Sequence, residues 1–171
     1  VTSELDYISN RVDEDAGLYL IDSNWGMYKE DIPIAHHLKK LNETKNWSKY
    51  VDCDTGKSQY DRIKHVAIDV LPGIMSISNS MQTMDKSVLK NIKRLQPKDP
   101  IQIINEFKGE VQQPDFILPL PGETKEGFME GMKKLLDTKA NVRLRVHPTQ
   151  MLSDTELDTQ ESIDKYGLQF K

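Results

Sequence analysis

Cysteine is nearly absent from these 171 residues, with Cys53 standing alone. One thiol excludes an internal disulfide and any zinc or iron-sulfur site built from cysteines of this chain. A surplus of basic charge is missing too: 23 Lys and Arg stand against 27 Asp and Glu, a formal net charge of -4. A protein that neutralises a phosphate backbone needs the opposite balance, so no nucleic acid is expected as a partner. No apolar run approaches the roughly 18 residues of a membrane span. Val1-Thr2-Ser3-Glu4 shows neither the basic start nor the apolar stretch of a secretory signal. The expectation is a soluble, cytoplasmic protein with no membrane partner. Asn42 in "NET" and Asn46 in "NWS" match the glycosylation acceptor pattern, but with no sign of secretion they read as chance matches. Low-complexity segments are absent, and no serine sits in a nucleophile-elbow sequence, so Ser-His-Asp chemistry has no support.

What is present is a globular balance, 37% hydrophobic and 29% charged, over a length that suits a single domain, 1–171. "SELDYISNRV" spaces Leu5, Ile8 and Val12 at helical intervals, with Ser3 available as a cap. "GLYLID" concentrates strand formers and gives way to a loop, "SNWGMY", and "IPIAHHLKKLNE" brings Ile34, Leu38 and Leu41 onto one helical face. The alternation continues: strand "SKYVDCDT", helix "YDRIKHVAIDV", strand "GIMSISNSM", helices "KSVLKNIKRL" and "PIQIINEFKG", strand "DFILPL", helix "KEGFMEGMKKLLDTK", strand "NVRLRVHP". The stretch from about 150 to 171 is polar and reads as a loop-like tail. Strands alternating with helices predict an α/β fold of parallel strands joined by right-handed crossovers. Periodicity alone does not choose between a doubly wound sheet and a barrel, although a complete eight-unit barrel takes about 250 residues.

Several motifs invite chemistry. "DTGKS", Asp54 to Ser58, ends like a phosphate-binding loop, but the glycine required five residues before Gly56 is Val51, so a plain strand-to-helix turn is the preferred reading. His36 and His37 are neighbours on a helix and point about 100° apart, unlike an i, i+4 metal pair. Met75, Met81 and Met84, like Trp25 and Trp47, read as packing residues. His147 lies at a strand end, where either a substrate role or a surface role fits.

Polar residues gather at the ends of the predicted strands: Asp22, Ser23 and Asn24; Asp52, Asp54, Thr55 and Lys57; Ser76, Ser78, Asn79, Ser80 and Gln82; Glu123; His147 and Gln150. A parallel α/β layer brings its C-terminal strand ends to one side, where these groups would surround one small-molecule ligand. Taken one at a time, each set reads as an ordinary polar loop or helix cap.

Four stretches, "LYLIDSNWGMYKEDIPIAHHL", "SISNSMQTMDKSVLKNIKR", "LPLPGETKEGFMEGMKKLL" and "RLRVHPTQMLSDTELDTQESIDKYGL", cover most of the chain. Their order and wording resemble the radical S-adenosylmethionine (radical SAM) superfamily, in particular its cobalamin-associated members. The resemblance implies a partial (β/α)₆ barrel of the TIM type. Its rim holds a 4Fe-4S cluster on a C-x-x-x-C-x-x-C loop, and its reaction cleaves S-adenosylmethionine reductively to a 5′-deoxyadenosyl radical that abstracts hydrogen from a substrate. The cysteine loop is missing here. The resemblance therefore implies a fragment with five of the six units, the C-terminal portion of the barrel, whose cluster ligands belong to a missing N-terminal portion of the same protein. Such a chain would be inactive alone, and cobalamin would be a possible second cofactor.

Carried over by position, the resemblance puts Asp22 and Asn24 near the methionine end of the cofactor. It puts Ser76, Ser78 and Gln82 toward its ribose or the substrate, and Leu118 to Leu120 beside the adenine, with Glu123 steadying the turn. Lys57 and His147 are rim candidates for substrate. Pro119 stands where relatives often have glycine, and it removes a backbone donor there. Two other readings stay open: a degenerate barrel serving as a binding or interaction module, and an unrelated α/β enzyme using a rim carboxylate or lysine.

Overall fold

The computed structural model describes residues 1–94 and 98–169. It is a mixed α/β structure with parallel strands in two sheets. Helix α1, Thr2–Ser9, leads to strand β1, Leu18–Trp25; helix α2, Asp31–Lys45, leads to β2, Val51–Thr55. After α3, Tyr60–Lys64, and a π-helical segment, His65–Val70, comes β3, Ile77–Gln82. Helices α4, Lys86–Asn91, and α5, Pro100–Glu106, precede β4, Gln112–Leu118; α6, Lys125–Asp137, precedes β5, Arg145–Pro148, and α7, Gln160–Tyr166, follows.

The sheets are β1-β2 and β3-β4-β5, and every pairing is parallel. They meet at one bridge, where Val51 donates to Ile74 O at 2.8 Å and accepts from Ser76 N at 2.9 Å. Each strand thus lies beside its predecessor in the chain. Alternate residues turn to the helices: Cys53 and Ile77 enter a core with Leu38, Trp47, Ile63 and Val66, while Met81 and Phe116 pack with Ile104 and Leu135. The Phe128 ring meets Phe116 edge-on, with centroids 6.2 Å apart, so α6 is fixed to β4 by aromatic contact as well as buried area.

Helix starts follow the capping chemistry of the sequence. Thr124 accepts from Gly127 N at 3.0 Å, Asp85 from Ser87 N at 2.7 Å, and Asp99 from Ile101 N at 2.9 Å with Pro100 behind it. Ser3, expected as a cap, lies inside α1, whose N-cap is Val1.

Other expectations are corrected. Residues Ser23 to Trp25 belong to β1 rather than to its exit loop, because a bulge keeps Trp25 paired with Thr55 and buries its ring. "YDRIKHVAIDV" is not one α-helix: Leu71 N bonds to Val66 O, and the widened turn buries Val66, Ala67 and Val70 together, in a run whose β-branched residues favour the α-form weakly. β4 starts three residues before "DFILPL" and ends before Pro119, which has no donor for the ladder. The last strand is confined to Arg145–Pro148, apart from a bridge between Gln112 and Val142. The tail is not all loop, since Thr159 caps α7 through Ser162 N at 3.2 Å and Gly167 ends it at φ 61°. Leu95, at the end of the predicted "KSVLKNIKRL" helix, lies outside the described residues, as do Phe170 and Lys171 of the tail. No helix among the described residues is long and apolar enough to cross a membrane.

Candidate functional site

A strand offers alternate residues to its two faces, and parallel sheets usually bury apolar side chains on both. Here the face away from the helices is polar. β2 contributes Asp52 and Asp54, β3 Ser78 and Ser80 with Ser76 just before it, β4 Gln113 and Asp115, and β5 Arg145 and His147. Ser76 donates to Asp52 at 2.8 Å, and Gln113 donates to Asp52 at 3.1 Å and to the Tyr50 hydroxyl at 2.9 Å. One layer nearer the strand ends, Arg145 Nη2 donates to Asp115 Oδ2 at 2.9 Å, while Nε lies 2.7 Å from Oδ1 as a charge contact off the hydrogen-bonding axis. Ser78 donates to the same carboxylate at 3.3 Å, Asp54 lies 3.7 Å from Arg145, and His147 Nε2 reaches Asp115 Oδ1 at 3.2 Å.

Burial pulls the Arg145 guanidinium down, but the Asp115 hydrogen bond and the charges of Asp115, Asp54 and Asp52 outweigh it and hold the group above its ordinary value. Arg145 is therefore a fixed cation among carboxylates.

Two cavities open at this end of the strands. The smaller, about 290 Å³, is lined by Asp54, Ser80, Gln82, Asp115, Ile117, Arg145 and His147. The larger, about 820 Å³, shares Gln82, Ile117 and His147 and continues along Lys57, Ile92, Lys93, Arg94 and Leu120 to Pro148 at the end of β5 and to Thr149, Gln150, Leu152 and Leu157 after it. Its described walls carry cations and apolar groups but no carboxylate. Burial lowers the Arg94 guanidinium, whose Nη2 donates to Ser80 O at 3.1 Å. Lys93 is paired on its outer side with Glu156 at 2.6 Å.

The structure brings Lys57, Gln82, Leu120 and His147 together around the larger cavity. Ser78 stands behind it as a support for Asp115, and Ser76 as a support for Asp52. Glu123 closes the turn after β4: it accepts from Thr83 Oγ1 at 2.7 Å and from Leu120 N at 3.3 Å. Leu118 ends β4, half-buried, and lines neither cavity. Asp22 and Asn24 stand on β1 outside both walls, and Asp22 Oδ1 accepts from Asn24 N at 2.8 Å. Cys53 is 1% exposed on the helix side, its thiol pushed up by burial. Among the described residues no group of three or more His, Cys, Asp or Glu is placed to hold a metal ion.

Asp115, Arg145, Arg94 and Ile117 carry no motif that marks them as site residues in the sequence. The signal was present in the alternation of "DCD", "SISNS", "QPD" and "RVH", whose polar positions recur at the strand period and mark one face.

No family model matches the chain. Along 96% of its length it is similar to two curated proteins. It is 28% identical to the cobalamin-dependent radical SAM methyltransferase TokK of Streptomyces tokunonensis. It is 26% identical to the 2-(S-pantetheinyl)-carbapenam-3-carboxylate methyltransferase of Streptantibioticus cattleyicolor. The chain spans 25% of the length of each. This similarity supports a radical SAM link.

Proposed function

We propose that this chain is part of the barrel wall of a radical SAM enzyme of the cobalamin-dependent methyltransferase kind. S-adenosylmethionine would bind at the C-terminal strand ends, and a 4Fe-4S cluster would be held by an upstream portion of the same polypeptide. The similarity to the two methyltransferases over 96% of the chain carries the reading. The strand order agrees with it: five parallel strands that follow the chain, each beside the last, suit a (β/α) barrel. A doubly wound sheet reverses its order at a switch point. The outer edge of β1 also agrees, since among the described residues it pairs with no strand and is open to one.

The residues of this chain do not fit the cluster, because its one thiol is buried on the wrong face, and no step is derived through it. They do fit a nucleoside with an anionic end. Arg94 and Lys57 offer positive charge, Ile117 and Leu120 an apolar wall, and Gln82 a hydrogen-bonding group between them. S-adenosylmethionine, when cleaved reductively, supplies a 5′-deoxyadenosyl radical for hydrogen abstraction, and cobalamin supplies a carrier for the methyl group. The chain's own part is to bind, orient and exclude water. Leu120 would flank the adenine with Ile117, Glu123 would hold the turn after Leu118, and Ser76 and Ser78 would fix Asp52 and Asp115 beneath a small-molecule substrate. With the methionine carboxylate at Arg94, Asp22 and Asn24, on β1 outside both cavities, would take no part in holding that end.

The test uses the longer coding sequence. A C-x-x-x-C-x-x-C loop ahead of Val1, with release of 5′-deoxyadenosine after anaerobic reconstitution, would support the reading. Lack of both would leave a binding or interaction module in its place.

A further inference from the structure

We infer that His147 is a hydrogen-bond-accepting residue of the smaller cavity, that Asp115 is its positioning partner, and that the group it receives is a primary ammonium on a bound ligand. The inference rests on this cavity's geometry and stands apart from the cofactor reading.

Asp115 and Arg145 are register partners across β4 and β5, and Ile117 and His147 are the pair one step along the same face. The His147 ring therefore stands directly above the ion pair. Its Nε2 lies 3.2 Å from Asp115 Oδ1, and Nδ1 has no hydrogen-bond partner among the described residues. A neutral imidazole in this setting carries its hydrogen on Nε2 and keeps the Nδ1 lone pair for a ligand. The carboxylate that sets this tautomer is only 16% exposed, accepts from Arg145 Nη2 and Ser78 at Oδ2 and has Arg145 Nε beside Oδ1, so its direction is fixed. His147, at 56% exposed, belongs to the walls of both cavities.

Charge selects the ligand group. The charged residues of the smaller cavity are Asp54 from β2, Asp115 from β4 and Arg145 from β5, two carboxylates against one guanidinium. Lys57, Lys93 and Arg94 line the neighbouring cavity instead. A cation is therefore favoured beside Asp54 and Asp115. The ammonium N–H donates to the Nδ1 lone pair while Nε2–H donates to Asp115, so both ring nitrogens are paired and no covalent bond is broken.

The experiment is long-range ¹H-¹⁵N NMR of the histidine side chains in the whole chain, with His147 assigned through His147→Gln. His65, whose Nδ1 lies 2.9 Å from Asp69, is an internal reference of the opposite tautomer. Wild-type His147 is expected mainly as the Nε2–H form, with that preference lost in Asp115→Leu and His65 unmoved. Methylammonium chloride is expected to shift the His147 signals of the wild type and not those of Asp115→Leu. If Asp115→Leu is unfolded by its unpaired arginine, the Asp115→Leu/Arg145→Met pair removes both charges at similar volume and reads the same loss. A wild-type His147 in the Nδ1–H form, or a tautomer unchanged without Asp115, overturns the positioning role. Wild-type signals that ignore methylammonium overturn the ligand assignment.

Discussion

Asp115 and Arg145 face each other across β4 and β5 and close a two-point contact, 2.9 Å from Nη2 to Oδ2 and 2.7 Å from Nε to Oδ1. The pair is the joint between the last strand and the rest of its sheet, because β5 is only four residues long and among the described residues it pairs with β4 alone. Replacing Arg145 with Met leaves a mostly covered carboxylate with only Ser78 and His147. The expected loss is about 1–2 kcal/mol, toward the low end for charge-assisted bonds because the guanidinium is 34% exposed. Urea unfolding measures it. The Asp115→Leu/Arg145→Met pair should lose less than the two single changes summed, and strict additivity would mean that the contact carries no coupling.

The sequence made the parallel alternation legible because each strand is a short block of β-formers bounded by glycine, proline or aspartate, as at Gly17, Pro121 and Asp85. It also showed that polar groups gather at the strand ends, and Lys57, Gln82, Leu120 and His147 do meet around one cavity. What was hidden depends on pairing. Nothing local says that Asp115 sits opposite Arg145, 30 positions away, or that Arg94 turns to Ser80 rather than to water. The bulge in β1 and the π-turn before Leu71 were hidden for a related reason, since tertiary burial of Trp25 and Val70 overrides the local pattern.

Helix α4 is launched by Asp85, whose carboxylate accepts from Ser87 Oγ at 2.6 Å, Ser87 N at 2.7 Å and Val88 N at 3.3 Å. The Ser87 side-chain bond, then the backbone bonds, hold its pKa below the ordinary value against partial burial. Asp85→Ala should cost about 0.5–2 kcal/mol at neutral pH. The sign of its pH dependence follows from the depressed pKa. The stabilisation is complete above the unfolded-state pKa, about 3.9, and disappears as pH falls through the lower folded-state value. Wild type and variant should therefore converge in acid during denaturant titrations, and a gap that stays constant with pH would deny the carboxylate its role.

Gly122 takes φ 81° in the turn that ends the β4 segment, and an added Cβ would lie 2.6 Å from Asn91 Nδ2, which itself donates to Pro121 O at 2.9 Å. Gly122→Ala should cost about 1–2 kcal/mol from the left-handed backbone alone, with a further loss as Asn91 is displaced. Removing the clash in Gly122→Ala/Asn91→Ala should leave the backbone part. Thermal unfolding of the three variants separates the contributions, and an alanine that is silent at 122 would mean that the turn has another conformation.

Arg94 offers the clearest test of what the larger cavity holds. Its guanidinium is half-buried, burial lowers its pKa, and it donates to a neutral carbonyl, Ser80 O. A half-buried cation without a carboxylate in the cavity wall is electrostatically under-satisfied, and an anionic ligand group would relieve it. Lys57 at the rim is exposed and should matter less, because water already solvates it. Arg94→Gln keeps a donor and removes the charge, so on the function proposed above S-adenosylmethionine should bind about tenfold or more weakly, the scale of one charge-assisted hydrogen bond. Lys57→Gln should change affinity only a few-fold, with a steeper dependence on salt. Equilibrium dialysis reads both. Equal losses from the two variants would place the anion at the open rim, and unchanged affinity in Arg94→Gln would remove the anionic end of the ligand from this wall altogether.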